Sequence, residues 1–410
     1  MTEINVNGRA YLPPKAPTVV ICIDGSEPGY IEKAIEAGVA PTFASMMKNG
    51  ANLIAECVIP SFTNPNNLSI ITGRPPQVHG IAGNFFYDPA TGKEVMMNDP
   101  SFLRAPTILA GVQQAGYKVA MVTAKDKLRL LLSNGLDYSK KTAIAFSSEK
   151  ADKANLAENG IENVCDFVGM SVPDVYSAGL SEFVFAAGVK LMESFRPDLM
   201  YLSTTDYIQH KVAPGTKIAN DFYAMIDRHL AQLIALGCTV VATADHGMND
   251  KHHADKSPNV VYLDPLFDGW IGTGKARVIL PITDPYVVHH GALGSFATVY
   301  LPEGSDVSGL IAKLEKTEGV QVALTRAAAC AEFELPPDRL GDIVVISTRH
   351  VTLGTAPEKH DLTGLTEPLR SHGGLTEQRV PMVSNRKISL PESHRLRTFD
   401  VFWVALNCTA

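Results

Sequence analysis

The chain of 410 residues has no long apolar run, no paired-cysteine motif and no excess of positive charge. Because no apolar stretch reaches the roughly 18 residues of a membrane span, we expect no transmembrane segment. The N-terminus lacks the basic and apolar regions of a secretion signal, so we expect a cytoplasmic protein. The formal charge of −7 argues against nucleic-acid and membrane-surface partners. The six cysteines are scattered, which is typical of reduced core residues.

Apolar runs alternate with helical patterns over the first 258 residues or so. "TVVICIDG" (Thr18 to Gly25) is rich in β-branched residues and predicts a strand buried on both faces of a parallel sheet. "IEKAIEAGVAPTFASMMKNG" follows with helical spacing and a terminal glycine, which predicts a helix. The alternation indicates an α/β fold in which helices flank a mostly parallel sheet.

The pattern changes after about Pro258. "KARVILP", "ATVYLP", "VQVALT" and "DIVVIST" are short apolar runs at irregular spacing, with proline and glycine between them. We predict that 265–365 form a smaller α+β lobe inserted into a core made of 1–264 and 366–410. The sequence holds no direct signal for an oligomeric state, and a homodimer is left open beside a monomer.

Three predicted core strands each end in an aspartate: Asp24, Asp206 and Asp245. In open parallel sheets the ligand crevice lies beyond the carboxyl ends of the strands. Carboxylates that meet there repel one another unless positive charge lies between them. Asp24 alone is equally well explained as an Asp-Gly turn, but three such residues together favour a metal site.

Histidines accompany these aspartates. "DYIQH" sets His210 four residues after Asp206, on the same face if a helix begins there, and "DHG" sets His246 beside Asp245. "SHGG" places His372 among small residues that allow close approach. Any one of these histidines alone is more often a surface or core residue. A mixed Asp/His set suits Zn²⁺, or Mn²⁺ or Fe, whereas Mg²⁺ prefers oxygen ligands alone.

"PSFTNPNN" (Pro60 to Asn67) places a hydroxyl, that of Thr63, where an apolar strand ends and a helix begins. Pro65 fits the first turn of that helix. The local sequence favours an N-cap role, in which Thr63 or Asn64 bonds free backbone N–H groups. Beside a metal ion, however, a threonine hydroxyl can act as a nucleophile.

In order and spacing, these residues resemble the alkaline phosphatase superfamily, and within it the nucleotide pyrophosphatase/phosphodiesterase branch. "GIAGNFFYDP" (Gly80 to Pro89) is similar to the segment of that branch whose asparagine, here Asn84, helps to hold the phosphoryl oxygen. "PSFTNPNN", "TTDYIQHKVAPG" and "TADHGMNDKH" look like the corresponding segments of the phosphonoacetate hydrolases, a family of that superfamily that cleaves carbon–phosphorus bonds. The resemblance covers most of the chain outside 265–365.

The resemblance implies a di-zinc hydrolase with an alkaline-phosphatase-like core. One zinc ion would be held by Asp206, His210 and His372, and the second by Asp24, Asp245, His246 and Thr63. Thr63 would attack phosphorus and form a phosphothreonine. Asn84 and the Thr63 backbone N–H would bind a phosphoryl oxygen, and His210 also falls among the substrate-binding residues.

Expulsion of a carbanion from a phosphonate requires cations at the substrate carboxylate. "VTAKDKLRL" offers Lys125 and Lys127 just past a core strand, and in an extended chain both would point the same way. A solvated charged loop is the alternative interpretation. Arg129, His252, His253, His289 and His290 are weaker candidates for the pocket wall.

The sequence is therefore compatible with four functions. The first is hydrolysis of phosphonoacetate, a small anionic substrate, to acetate and phosphate. The second is a phosphodiesterase or nucleotide pyrophosphatase activity, which needs an aromatic or apolar nucleoside slot. The third is hydrolysis of another small phosphonate such as phosphonopyruvate. The last is metal and anion binding without catalysis, which the complete ligand set and Thr63 argue against.

Overall fold

A seven-stranded sheet forms the centre of the computed structural model, which describes residues 3–283 and 291–409. Its strands lie in the spatial order Ala51–Glu56, Arg379–Ser384, Thr239–Thr243, Thr18–Cys22, Leu199–Ser203, Val119–Thr123 and Ala143–Ser147. The last five pair in parallel. Arg379–Ser384 runs antiparallel to both of its neighbours. The predicted α/β class with a mostly parallel sheet is confirmed.

Helices cover both faces of this sheet because its central strands are apolar on both sides. Val19 and Ile21 contribute to one core, while Val20 and Cys22 contribute to the other, as the alternation of side chains along a strand requires. The helices on the first face are Pro28–Glu36, Pro41–Asn49, Gly179–Ser194 and Lys217–Ala235. The helices on the second face are Thr63–Thr72, Ile108–Gln114 and Asp126–Leu132.

Two details of the main layer differ from the sequence predictions. The single helix predicted after the first strand is wrong: the segment forms the two helices Pro28–Glu36 and Pro41–Asn49. Gly38 takes a left-handed φ of 75° and Pro41 begins the second helix, so the chain turns between them. The strands Ala143–Ser147 and Arg379–Ser384 have no counterpart among the predictions.

A second sheet of four antiparallel strands lies in the later part of the chain. Its order is Arg277–Ile279, Phe296–Tyr300, Ile343–Ser347 and Val320–Thr325, and the helices Leu263–Ile271, Val307–Leu314 and Arg326–Phe333 accompany it. All four predicted apolar runs form its strands. The lobe boundaries at 265 and 365 stay a prediction.

Among the described residues, four short strand pairs lie outside these two sheets. The pairs are Ile4–Val6 with Arg9–Tyr11, Phe85–Asp88 with Lys93–Met96, Asn249–Asp250 with Arg370–Ser371, and Val260–Tyr262 with Thr352–Gly354. Among the described residues, no helix combines the length and the apolar character that crossing a bilayer demands. All six cysteines are free thiols.

Candidate active site

The three strand-terminal aspartates lie together at one edge of the main sheet. Asp24 follows the central strand Thr18–Cys22, and Asp206 and Asp245 follow the strands on either side of it. Asp24 and Asp245 are buried. The structure therefore places these carboxylates where the sequence expects a ligand crevice.

Histidines bring their Nε2 atoms to these carboxylates in two adjoining groups. His210 Nε2 lies 2.9 Å from Asp206 Oδ2, and His372 Nε2 lies 3.6 Å from the same oxygen. His246 Nε2 lies 3.2 Å from Asp24 Oδ1.

Asp245 Oδ2 lies 3.8 Å from His246 Nε2. Ligand atoms of Asp24, Asp245 and His246 all fall within 4.8 Å of one another, as do those of Asp206, His246 and His372. His246 thus stands between the two groups, whereas the resemblance assigns it to one ion alone.

The backbone contacts of the three histidines indicate the tautomer of each ring. His210 Nδ1 lies 2.8 Å from the Arg370 carbonyl, His246 Nδ1 lies 2.9 Å from the Gly247 carbonyl, and His372 Nδ1 lies 2.7 Å from the Ser61 carbonyl. Because a carbonyl oxygen only accepts, each Nδ1 carries the proton and donates it. In the neutral ring, the Nε2 lone pair then faces carboxylate oxygens. This is the arrangement of histidines that ligate metal ions.

The charges of the site are unbalanced without a cation. Burial, then the neighbouring Asp206 and Asp245 carboxylates, raises the pKa of Asp24 well above its usual value. Burial, then the proximity of His246 and His210, lowers the pKa of His372 well below its usual value. A neutral imidazole and crowded carboxylates are the state that binds a divalent metal ion, so the donor set fits such an ion.

Thr63 is the first residue of the helix Thr63–Thr72, and the residue before it, Phe62, occupies the N-cap. No side chain makes a capping hydrogen bond at this helix start, so the N-cap interpretation of Thr63 and Asn64 is wrong. The Thr63 hydroxyl instead lies 3.3 Å from His246 Nε2. Its position at the positive end of the helix favours contact with an anion.

Two asparagines that were not predicted as site residues fix this geometry. Asn66 is buried, and it binds both backbone groups of Val58, accepting from its N–H at 2.7 Å. Asn67 donates to Asp245 Oδ2 at 2.9 Å and accepts from the hydroxyl of Tyr201 at 2.7 Å. The signal was available in "NN", because amide side chains require hydrogen-bond partners when a helix buries them.

Beside these groups the described residues enclose a cavity of about 70 Å³. Its lining residues include Asp24, Thr63, Asn64, Asn84, Lys125, Lys127, Leu128, Val175, Tyr176, Asp206, Tyr207, His210, Ile282 and His372. Asn84 is held by its backbone, whose N–H donates to Pro281 O at 2.7 Å. Its side-chain Oδ1 is buried and has no hydrogen-bond partner among the described residues. Asn84 therefore lines the cavity with an amide whose oxygen can still accept a hydrogen bond.

Lys125 and Lys127 both line this cavity, but not in an extended chain as expected. Lys125 is the N-cap of the helix Asp126–Leu132, and Lys127 lies in its first turn. Burial, then the charge of Lys125, lowers the pKa of Lys127 to about 8, although Glu149 opposes the shift. Burial also lowers the pKa of Lys125. A half-buried lysine pair in the cavity that the candidate metal ligands also line suits an anionic group of a substrate.

Three of the five weaker candidates do not join the site. Arg129 forms an ion pair with Asp126 at 2.7 Å, and neither His252 nor His253 lines the cavity. His289 and His290 lie outside the described residues.

The fold and the site define a hydrolase of the metal-binding phosphodiesterase type. A family model for "Type I phosphodiesterase / nucleotide pyrophosphatase" matches residues 18–375, and the chain belongs to this family. Crystal structures of phosphonoacetate hydrolase from Sinorhizobium meliloti 1021, in complex with phosphonoformate and with phosphonoacetate, are 59% identical to this chain. They cover 100% of it and 99% of their own chain, with a TM-score of 0.97.

More distant relatives share either a segment of the sequence or the fold. An uncharacterised pyrophosphatase/phosphodiesterase of Schizosaccharomyces pombe is 36% identical over 92 residues, which are 22% of this chain and 18% of that protein. The chain thus matches less than a fifth of that relative's length. Murine ectonucleotide pyrophosphatase / phosphodiesterase 5 shares the fold, with a TM-score of 0.64 at 18% identity over 96% of each chain.

Proposed function

We propose that this chain hydrolyses the carbon–phosphorus bond of phosphonoacetate and releases acetate and phosphate. The main structural support is that one cavity is lined by Thr63, Asn84, Lys125 and Lys127. A phosphonate at Thr63 and a carboxylate at the lysines match the two ends of this substrate. The whole-chain similarity to phosphonoacetate hydrolase supports the proposal.

We assign Asp206, His210 and His372 to one zinc ion, and Asp24, Asp245, His246 and Thr63 to a second, with Mn²⁺ or Fe as alternatives. When bound, the ions would supply positive charge that offsets the carboxylates, favours the Thr63 alkoxide and neutralises the phosphonate oxygens. The Nδ1 hydrogen bonds of the three histidines hold their rings in the orientation that this role needs.

Thr63 Oγ1 is the proposed nucleophile. Its hydroxyl proton passes to solvent as the oxygen forms a bond to phosphorus, and the phosphorus–carbon bond breaks with its electron pair passing to carbon. The result is a phosphothreonine and an acetate carbanion, which takes a proton from solvent. Water then attacks the phosphothreonine, so that phosphate leaves and the threonine hydroxyl is restored.

Lys125 and Lys127 act on the leaving group. The negative charge left on carbon is delocalised into the neighbouring carboxylate, so cations at that carboxylate act where charge grows in the transition state. Asn84 Nδ2 and the Thr63 backbone N–H, at the start of its helix, bind a phosphoryl oxygen. His210 lines the same cavity, next to the metal-binding groups.

A second candidate is a phosphodiesterase or nucleotide pyrophosphatase, and a third is hydrolysis of another small phosphonate such as phosphonopyruvate. The family match favours the phosphodiesterase or nucleotide pyrophosphatase activity, and so do two aromatic rings of the cavity, Tyr176 and Tyr207. Their ring centroids lie 6.0 Å apart, and Lys125 Nζ lies 5.7 Å above the Tyr176 ring. The lysine pair favours the phosphonoacetate proposal instead, because it offers cations to the substrate carboxylate.

A substrate panel tests the choice, with phosphate release measured for the phosphonates and release of the nucleotide or alcohol measured for the diester. Zinc-loaded protein is offered phosphonoacetate, phosphonopyruvate, methylphosphonate and a nucleotidyl phosphodiester at equal concentrations. We expect phosphonoacetate to have the highest kcat/KM. Cleavage of the diester without any phosphate from phosphonoacetate would contradict the proposal and support the second candidate.

A further inference from the structure

A lysine and a glutamate form an ion pair behind the candidate metal ligands. Lys251 Nζ lies 3.0 Å from Glu377 Oε1, and both side chains have a solvent exposure of 0%. Neither residue lines the cavity. Burying two charges costs several kcal/mol of desolvation per ion, so a pair of this kind is weak evidence for a stabilising role.

The Glu377 carboxylate is saturated by donors from two chain segments. Oε1 accepts from Lys251 Nζ at 3.0 Å, Asn249 Nδ2 at 2.5 Å and Thr376 Oγ1 at 2.6 Å. Oε2 accepts from the backbone N–H of Gly374 at 2.9 Å. The carboxylate therefore fixes side chains and backbone at the same time.

These two segments carry the candidate ligands His246 and His372. Gly374 lies two residues after His372, and Gly247 follows His246 directly. The carbonyl of Glu377 accepts from the Gly247 N–H at 2.7 Å. One residue thus bonds the backbone of both segments, within two residues of each histidine.

Lys251 also forms hydrogen bonds with backbone carbonyls outside the segment that carries His246. Its backbone N–H donates to Leu369 O at 2.8 Å, and its Nζ also donates to Arg349 O at 2.7 Å. Lys251 and Asn249 lie after His246, whereas Leu369 lies before His372, so the contacts cross between the two segments several times.

We propose that Glu377, held by Lys251, is a positioning residue that sets the separation of the His246 and His372 rings and thereby the affinity of the metal site. The proposal rests on the metal site of the proposed function, but not on the identity of the substrate. Residues that orient metal ligands typically change metal affinity about 10–100-fold when they are replaced.

The test measures metal affinity directly. Purified Glu377→Gln and Lys251→Met are titrated with Zn²⁺ against a competing chelator, and the visible absorption spectrum of the Co²⁺-loaded proteins is recorded. The matched control is Asp400→Asn, since Asp400 is also buried and ion-paired, at 2.7 Å from Arg9, yet its other partners, His394 and Arg397, adjoin no candidate ligand.

We expect both site variants to bind Zn²⁺ at least about tenfold more weakly and to show a changed Co²⁺ spectrum. Asp400→Asn should lower the melting temperature but keep the parental affinity and spectrum. Parental affinity in folded Glu377→Gln would overturn the proposal.

If Glu377→Gln fails to fold, Thr376→Val removes a single donor to the same carboxylate. A severalfold loss of Zn²⁺ affinity then supports the proposal, and no loss overturns it. Failure of the parent protein to cleave phosphonoacetate would contradict the proposed function alone, because the affinity comparison uses no substrate.

Discussion

The imidazole rings of His246 and His372 stack at a centroid distance of 3.6 Å, with only 6° between their planes. His372 Nδ1 bonds the Ser61 carbonyl, and the Ser61 hydroxyl in turn donates to Gly374 O at 2.9 Å. Ser61 lies two residues before Thr63. The segment that presents the candidate nucleophile is therefore bonded to the segment that presents a candidate metal ligand, so each helps to position the other.

Replacement of Thr63 by alanine should remove turnover and spare metal binding. Because the other proposed ligands remain, we expect zinc content to stay near that of the parent. Loss of the nucleophile should lower kcat by at least about a thousandfold. Phosphate release and metal content measured on the same sample check this expectation.

Thr63→Ser is the control for the hydroxyl, because it keeps the oxygen and loses only a methyl group. We expect it to retain measurable turnover. Unchanged phosphate release by Thr63→Ala would exclude Thr63 as the nucleophile.

Lys127→Ala should weaken the use of phosphonoacetate selectively. A hydrogen bond to a charged group is worth about 1.5–3 kcal/mol, so kcat/KM should fall by roughly 10–100-fold. A phosphonate monoester that lacks the carboxylate should lose much less. Lys150→Ala is the matched control, since Lys150 is exposed and lies 3.6 Å from Asp126. Equal losses on both substrates would contradict the assignment of Lys127 to the carboxylate.

The pH dependence of kcat/KM should reflect the titration of Lys127. Burial, followed by the charge of Lys125, lowers the pKa of Lys127 from 10.5 to about 8. Its ammonium is therefore present below that pH and is lost as the pH rises through it. We expect kcat/KM for phosphonoacetate to fall above about pH 8, as the free enzyme loses this charge.

Lys127→Arg tests this assignment, because a guanidinium stays charged throughout the range. Even if its absolute rate is lower, the fall of kcat/KM above pH 8 should disappear. A fall that persists unchanged would assign the titration to another group.

The central strands of the main sheet could be anticipated because they are continuous apolar runs, whereas the strands Ala143–Ser147 and Arg379–Ser384 and the spatial order of the sheet were not predicted. The aspartates after three of them could be placed at one edge, since parallel strands share the direction of their carboxyl ends. The side chain of Asn67 could not be placed in this way. Its partners Tyr201 and Asp245 lie far along the chain, and only the folded sheet brings them beside the helix.

The helix Asp126–Leu132, which begins next to Lys125, is a second feature that could not be predicted from the sequence. "AKDKL" is compatible with both an extended chain and the start of a helix. Which conformation forms depends on contacts with a neighbouring strand. Asp126 accepts from the Ser147 hydroxyl at 2.9 Å, and its backbone N–H donates to Glu149 at 2.8 Å. These partners belong to or follow a strand that was not predicted, so the helix could not be predicted either.

Removal of the metal should destabilise the protein as well as inactivate it. In the metal-free state the carboxylates of Asp24, Asp206 and Asp245 face one another without an added cation, and binding to the folded state alone would add about 4 kcal/mol at a thousandfold excess over Kd. We therefore expect dialysis against a chelator to abolish phosphate release and to lower the Tm by several degrees. Added Zn²⁺ should restore both.

Asp24→Asn is the control. It removes one of the repelling charges, so the repulsion in the metal-free state is smaller, and it also removes a proposed ligand. We therefore expect a smaller zinc-induced rise in Tm. A chelated protein that keeps its Tm and its turnover would contradict the metal assignment.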